Sequence, residues 1–108
     1  MPDAKHYLYR LRLVNPLKLA PGFSEAELAT LQRHRDYLGR LTAAGTLVLA
    51  GRTAAEEATF GVVIFSAADV GSARTIMEAD PAVAEGLMTA ELFPFILTFH
   101  ALNPETAL

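Results

Sequence analysis

Two segments of this chain are apolar on both sides of a strand, and that pattern leaves few folds open. Residues 59–65 read TFGVVIF, and Phe60, Val62 and Ile64 alternate with Val63 and Phe65. Residues 92–99 repeat it: Phe93, Phe95, Leu97 and Phe99 alternate with Leu92 and Ile96. Successive side chains of a strand point to opposite faces, so a sheet with one wet face alternates apolar with polar residues. These strands need cover on both faces. Helices of a chain this short cover one. A second subunit, a ligand cavity or both must cover the other, and two-fold packing of identical subunits is a common solution. The chain is therefore expected to work as a homodimer.

The remaining elements can be placed around these strands. Residues 6–13 (HYLYRLRL) form a first strand with Tyr7, Tyr9, Leu11 and Leu13 on one face and His6, Leu8, Arg10 and Arg12 on the other. Residues 15–23 hold two prolines and a glycine and read as a loop. Ser24-Glu25-Ala26-Glu27 is a capping-box signature, so a helix starts near Ser24, with Leu28, Leu31, Leu38 and Leu41 as its stripe and Gly45 as its stop. Residues 46–52 (TLVLAGR) are a second strand, 53–58 an exposed turn and 59–65 a third strand. A second helix begins within residues 66–69 and buries Val70, Ala73, Ile76 and Met77. Asp80-Pro81 ends it, because a residue before proline is pushed out of helical angles. A turn of helix follows over 81–85, closed by Gly86, and strand structure spans 87–102, with Pro94 marking an edge or a break.

The order is β-α-β-β-α-β. That is the ferredoxin-like α+β arrangement, an antiparallel sheet with both helices on one face. One domain is expected over residues 1–108, with flexible ends at about 1–5 and 103–108.

Charge and composition narrow the partners. The net charge is −3 and the nine basic residues are scattered singly, so no basic stripe invites nucleic acid or a membrane surface. No apolar run approaches the length of a spanning helix, and the first residues lack a signal-peptide core. The absence of cysteine removes disulfides and thiolate chemistry, which suits a cytoplasmic location. No phosphate-binding glycine loop, dinucleotide fingerprint, metalloprotease motif or nucleophile elbow is present, so no cofactor and no metal are expected.

The candidates for chemistry are few. His34 lies one helical turn from both Leu31 and Leu38, inside an apolar stripe. A buried histidine with a local hydrogen bond explains it plainly; a general acid or base explains it functionally. Asp80 followed by proline is a natural helix cap. Asp80 also follows Ile76 by four and Ala73 by seven, which puts it on the core side, where a carboxylate could orient His34 and complete an acid–base pair. Arg10 and Arg52 are cations that ordinarily sit at the surface and could each hold a ligand carboxylate. His6 and His100 carry weaker expectations: His6 shares a strand face with Arg10 and Arg12, and His100 is expected to be exposed.

Several short segments resemble the YciI-like (YCII-related) family of the dimeric α/β-barrel class. His34-Arg35-Asp36-Tyr37-Leu38 with Leu41 and Gly45 resembles its histidine-bearing first helix. LVLAG at 47–51 is similar to its strand ending in Ala-Gly, Asp80-Pro81-Ala82-Val83 with Gly86-Leu87 to its Asp-Pro turn, and ELFPF at 91–95 to its last strand. The similarity runs over residues 7–99. It implies a histidine and an aspartate in a pocket at the dimer, roles that fall on His34 and Asp80. It also implies metal-free proton-transfer chemistry, since a dehydrochlorinase acting on a chlorinated hydroxyquinol belongs to the family. Arg52 stands where the family often has proline, and Ala82 where it often has an aromatic residue, so a wider and more cationic pocket is expected. The loop at 15–23 is long enough to cover it.

Three functions remain in play. One is a cofactor-independent lyase or isomerase acting on an anionic or aromatic small molecule, with His34 as acid or base and Asp80 orienting it. Another is a non-catalytic dimeric module that binds a ligand or a protein. The last, by fold analogy alone, is a cofactor-independent oxygenase or haem-binding relative.

Overall fold

The computed structural model describes residues 5–16, 22–54 and 58–101. Its elements are β1 (Lys5–Leu13), α1 (Glu25–Ala43), β2 (Leu47–Arg52), β3 (Gly61–Ala67), α2 (Val70–Ala79), α3 (Pro81–Ala84) and β4 (Met88–Phe95). The strands form one antiparallel sheet in the order β2-β3-β1-β4. This is the ferredoxin-like α+β fold read from the sequence, with α3 inserted as a single turn before the last strand. The expected flexible ends and the tips of the two loops fall largely on residues 1–4, 17–21, 55–57 and 102–108, outside the described residues; Lys5 itself is the first residue of β1.

The alternation of β1 decides where the core lies. Tyr7, Tyr9 and Leu11 are buried and stand opposite Phe65, Val63 and Gly61 of β3. On the β4 side, Tyr9, Leu11 and Leu13 stand opposite Leu92, Ala90 and Met88. Ala73 and Met77 of α2 and Leu38 of α1 pack on this face. Tyr9 and Phe65 are fully buried and meet edge-on, with ring centroids 5.6 Å apart and planes at 70°. An aromatic pair in that geometry contributes roughly 0.5–1.5 kcal/mol beyond its buried area.

The helix ends follow local chemistry. Ser24 accepts from the Glu27 amide, and the Glu27 carboxylate accepts from the Ser24 amide, so the capping box is complete. Gly45 takes a φ of +77° just after the last turn, a conformation that costs a residue without a β-carbon little. Asp69 caps α2 by accepting from the Ser72 amide.

Four expectations need correction. Leu28 is 54% exposed and leaves the stripe of α1. The face turned to the protein carries Thr30, His34, Tyr37, Leu38 and Leu41. Nine residues separate Leu28 from Tyr37, which at about 100° per residue puts them on opposite sides of the helix. Val70 is 52% exposed, because it is the first helical residue and the buried face of α2 starts a turn later at Ala73. β3 starts two residues late: Thr53 Oγ1 accepts the Phe60 amide at 3.1 Å, so a side chain replaces one rung of the ladder. β4 stops at Phe95, since Phe95 already stands opposite His6 and β1 begins at Lys5. Beyond it Ile96 and Phe99 are about four-fifths exposed.

The second face of the sheet carries Leu8, Arg10, Val62, Ile64, Leu49, Phe93 and Phe95, as their cross-strand pairing requires. Both long helices lie on the other side. Leu49 and Phe93 stay 50% and 41% exposed. Among the described residues no helix is long and apolar enough to cross a membrane.

Candidate active site

Pro81 holds the site together from its own backbone. It keeps Asp80 extended (φ −62°, ψ 123°), so Asp80 ends α2 and caps α3 at once. Its Oδ1 accepts the Ala82 amide at 2.9 Å and lies 2.7 Å from His34 Nδ1. Its Oδ2 accepts the Tyr9 hydroxyl at 2.7 Å. Asp80 is fully buried, and the His34 side chain is 15% exposed. Three donors from α1, β1 and the start of α3 therefore converge on one carboxylate.

The donors around Asp80 bear on the tautomer of His34. Burial, reinforced by the negative charge of Asp80, pushes the Tyr9 phenol well above its ordinary value, so Tyr9 remains a donor. Asp80 accepts from the Tyr9 hydroxyl and from the Ala82 amide. The Nδ1–H of His34 then donates to Asp80, which leaves the Nε2 lone pair of the neutral ring free to take a proton.

His34 lines a cavity of about 440 Å³ between α1 and the sheet. Leu11 and Val63, both buried, lie at its floor. Leu31, Leu38, Phe23, Phe60 and Met88 contribute apolar walls, while Arg35, Gly51 and Arg52 are exposed at its rim. Arg52 reaches the cavity because of an irregularity. The register of β2 shifts between Leu47 and Leu49, so Ala50 and Arg52 stand opposite Val63 and Gly61 on the helix side. A bulge of this kind reverses strand parity beyond it.

The model of the YCII-related domain matches residues 11–96, most of the chain. The chain belongs to the YCII-related domain family. Families of this type form dimeric α/β barrels on a ferredoxin-like protomer. The YCII-related match contains His34, Arg52 and Asp80; Tyr9 lies two residues before it. No curated protein matches the chain.

A second set of contacts holds α1 of this YCII-related domain against α3. The Glu85 carboxylate accepts from Thr30 Oγ1 at 2.7 Å, from Arg33 Nε at 2.8 Å and from Arg33 Nη2 at 2.5 Å. The Arg33 and Thr30 hydrogen bonds pull the Glu85 pKa down to about 2. The Tyr37 hydroxyl donates to the Ile76 carbonyl at 2.6 Å, tying α1 to the last turn of α2. Both contacts sit close along the chain to His34 and Asp80 and keep the pair in register.

Of the residues singled out in the sequence, His34 and Arg52 line one cavity, and Asp80 is buried behind His34, hydrogen-bonded to its ring. Arg10 is not among them. It lies on the opposite sheet face, ion-paired with Glu91 and with its guanidinium 5.7 Å from the Phe93 ring centroid. His6 shares that face, opposite Ser66 and Phe95. His100 follows β4 and is half-buried rather than exposed. Tyr9 and Arg35 were missed. A tyrosine on the core face of a strand needs a partner for its hydroxyl, which is the one signal for Tyr9; Arg35 offered none beyond standing next to His34. Among the described residues no group of three or more His, Cys, Asp or Glu side chains could hold a metal ion.

Proposed function

We propose that this YCII-related protein is a homodimeric enzyme that moves a proton on a small molecule, as a lyase or isomerase does. The observation that carries this is the His34 ring: Nδ1 is held by a fully buried carboxylate, and the same side chain lines a cavity of about 440 Å³. In this reading Nε2 of His34 takes a proton from a C–H bond of the ligand, and the electron pair moves toward a neighbouring leaving group or unsaturated carbon. Asp80 stabilises the imidazolium so formed, and Tyr9 and the Ala82 amide hold Asp80 in place. The proton then goes to the leaving group, which makes a lyase, or to an adjacent carbon, which makes an isomerase. Arg52 serves the ligand from the rim.

The dimer is supported by the second sheet face. It bears Leu8, Ile64, Phe93 and Phe95, and a buried Arg10 Nε that has no hydrogen-bond partner. A second copy of the same face would cover the apolar residues and bring acceptors to Arg10.

The non-catalytic alternative has its own support, because Asp80 already serves as the cap of α3 and the acceptor of Tyr9. Proton exchange separates the two. Wild type and His34→Gln are incubated in D₂O with a panel of small carbon acids, and C–H to C–D exchange is followed by NMR. Positioned acid–base groups typically contribute about 10²–10⁴-fold, so the variant is expected to lose exchange by at least about 100-fold. Equal exchange by both proteins, or none above buffer with either, would leave a binding module.

A further inference from the structure

We infer that the cavity takes a small carboxylate with an apolar body, its charged head held at the rim by Arg52 and Arg35 together and its body directed inward past His34. The inference rests on the cavity being a ligand site and not on His34 being catalytic.

Among the described residues, charge on the lining of the cavity has one sign. Apart from His34, the titratable side chains that line it are Arg35 and Arg52. Two other guanidinium groups are paired within the chain, Arg33 with Glu85 and Arg10 with Glu91. Among the described residues neither Arg35 nor Arg52 has such a carboxylate. The nearest acid in the site's own network is Asp80. It is fully buried, both of its oxygens accept hydrogen bonds, and it does not line the cavity. Among the described residues, an anion entering the cavity therefore meets attraction at the rim and no fixed negative charge on the lining.

Polarity then sets the orientation. Leu11 and Val63 at the floor are 3% and 1% exposed, and Leu31, Leu38 and Met88 extend the apolar lining. A carboxylate driven to that floor would lose its hydration with no donor to replace it. At the rim it meets two planar guanidinium forks, which suit the two oxygens of a carboxylate. The apolar body gains by filling the cavity, whose volume is in the ordinary range for small-molecule sites. His34 lines the cavity on α1 next to Arg35, so it faces the part of the ligand just below the carboxylate.

Calorimetric titration with phenylacetate and with its neutral isostere phenylacetamide tests this, at one fixed ionic strength. Phenylacetate is expected to bind the wild type at least about tenfold more tightly than the amide. Arg52→Gln and Arg35→Gln should each weaken phenylacetate by roughly fivefold to tenfold, the low end for charged hydrogen bonds because both groups are exposed. Arg74→Gln, on the exposed side of α2 and away from the cavity, should leave it unchanged. Amide and acid binding alike, rim variants that keep full affinity, or a preference for benzylphosphonate over phenylacetate would each overturn the assignment. So would failure of both phenylacetate and hexanoate to bind wild type at millimolar concentration. His34→Gln separates the two proposals: a variant that keeps phenylacetate binding and exchanges protons no more slowly than wild type would end the acid–base proposal and leave the carboxylate site standing.

Discussion

Tyr9→Phe removes a single oxygen from the centre of the site and is the cleanest perturbation of it. The ring keeps its packing against Phe65, because that contact is edge-on and uses no hydroxyl. What disappears is the 2.7 Å hydrogen bond to Asp80 Oδ2. Asp80 is fully buried, so no solvent replaces the lost donor. Hydrogen bonds to charged groups typically contribute about 1.5–3 kcal/mol, and a chain near 100 residues shifts its melting temperature by about 4 °C or more per kcal/mol. The variant should therefore melt roughly 6–12 °C lower than wild type, read by circular dichroism at neutral pH. A second readout isolates the hydroxyl. The Tyr9 phenol is raised above its ordinary value of 10.0, by burial first and by Asp80 second. A raised group contributes stability that is present below the unfolded value and lost as pH rises through the folded one. Wild-type stability should accordingly fall above about pH 10, and Tyr9→Phe should show a shallower fall. It should not become flat, because Tyr37 is also raised, by burial and by Asp80. A melting temperature within about 2 °C of wild type, with an identical alkaline limb, would refute the claim that Tyr9 holds Asp80.

Glu85→Gln tests the brace between α1 and α3. The pKa of Glu85 is lowered from 4.5 to about 2 by its hydrogen bonds from Arg33 and Thr30, so its contribution is present above about 4.5 and lost as pH falls toward about 2. In urea unfolding the gap between wild type and variant should be widest near neutrality and close below pH 3; a gap that stays constant with pH would remove Glu85 from the brace. Phe93→Asp tests the second sheet face. Wild type should run in light scattering at twice the 11.6 kDa of one chain, and the variant as a monomer with unchanged helix content. A wild type that is monomeric at micromolar concentration would dismiss the dimer.

The fold was legible where local chemistry sets it. The capping box at Ser24, the left-handed turn at Gly45 and the break at Asp80-Pro81 each follow from residues within one turn of one another. Strand parity in β1 was equally plain, since tyrosines and leucines occupy every second position. Two of the misses originate in tertiary contact. Leu28 fits an apolar stripe as well as Thr30 does badly, yet Thr30 is the buried one because Glu85 and the Ala26 carbonyl accept its hydroxyl. The end of β4 is set by where β1 begins: their last pair, His6 with Phe95, joins residues far apart in the chain.

The two arginines show most clearly what a linear pattern can and cannot give. Arg10 belongs by simple alternation to the face opposite Tyr9, and the helices are on the face of Tyr9. Its separation from His34 was therefore already contained in the parity of β1. Arg52 is the reverse case. Leu47 packs toward the core, and strict alternation from it would send Leu49 inward and Arg52 to the second face. The register shift between Leu47 and Leu49 turns Leu49 outward, opposite Ile64, and brings Ala50 and Arg52 to the helix side. Nothing in LVLAGR announces that extra residue, because a bulge is specified by how β2 fits β3 and not by β2 alone. The same irregularity that leaves Leu49 half-exposed on the second face is what delivers a cation to the cavity of His34.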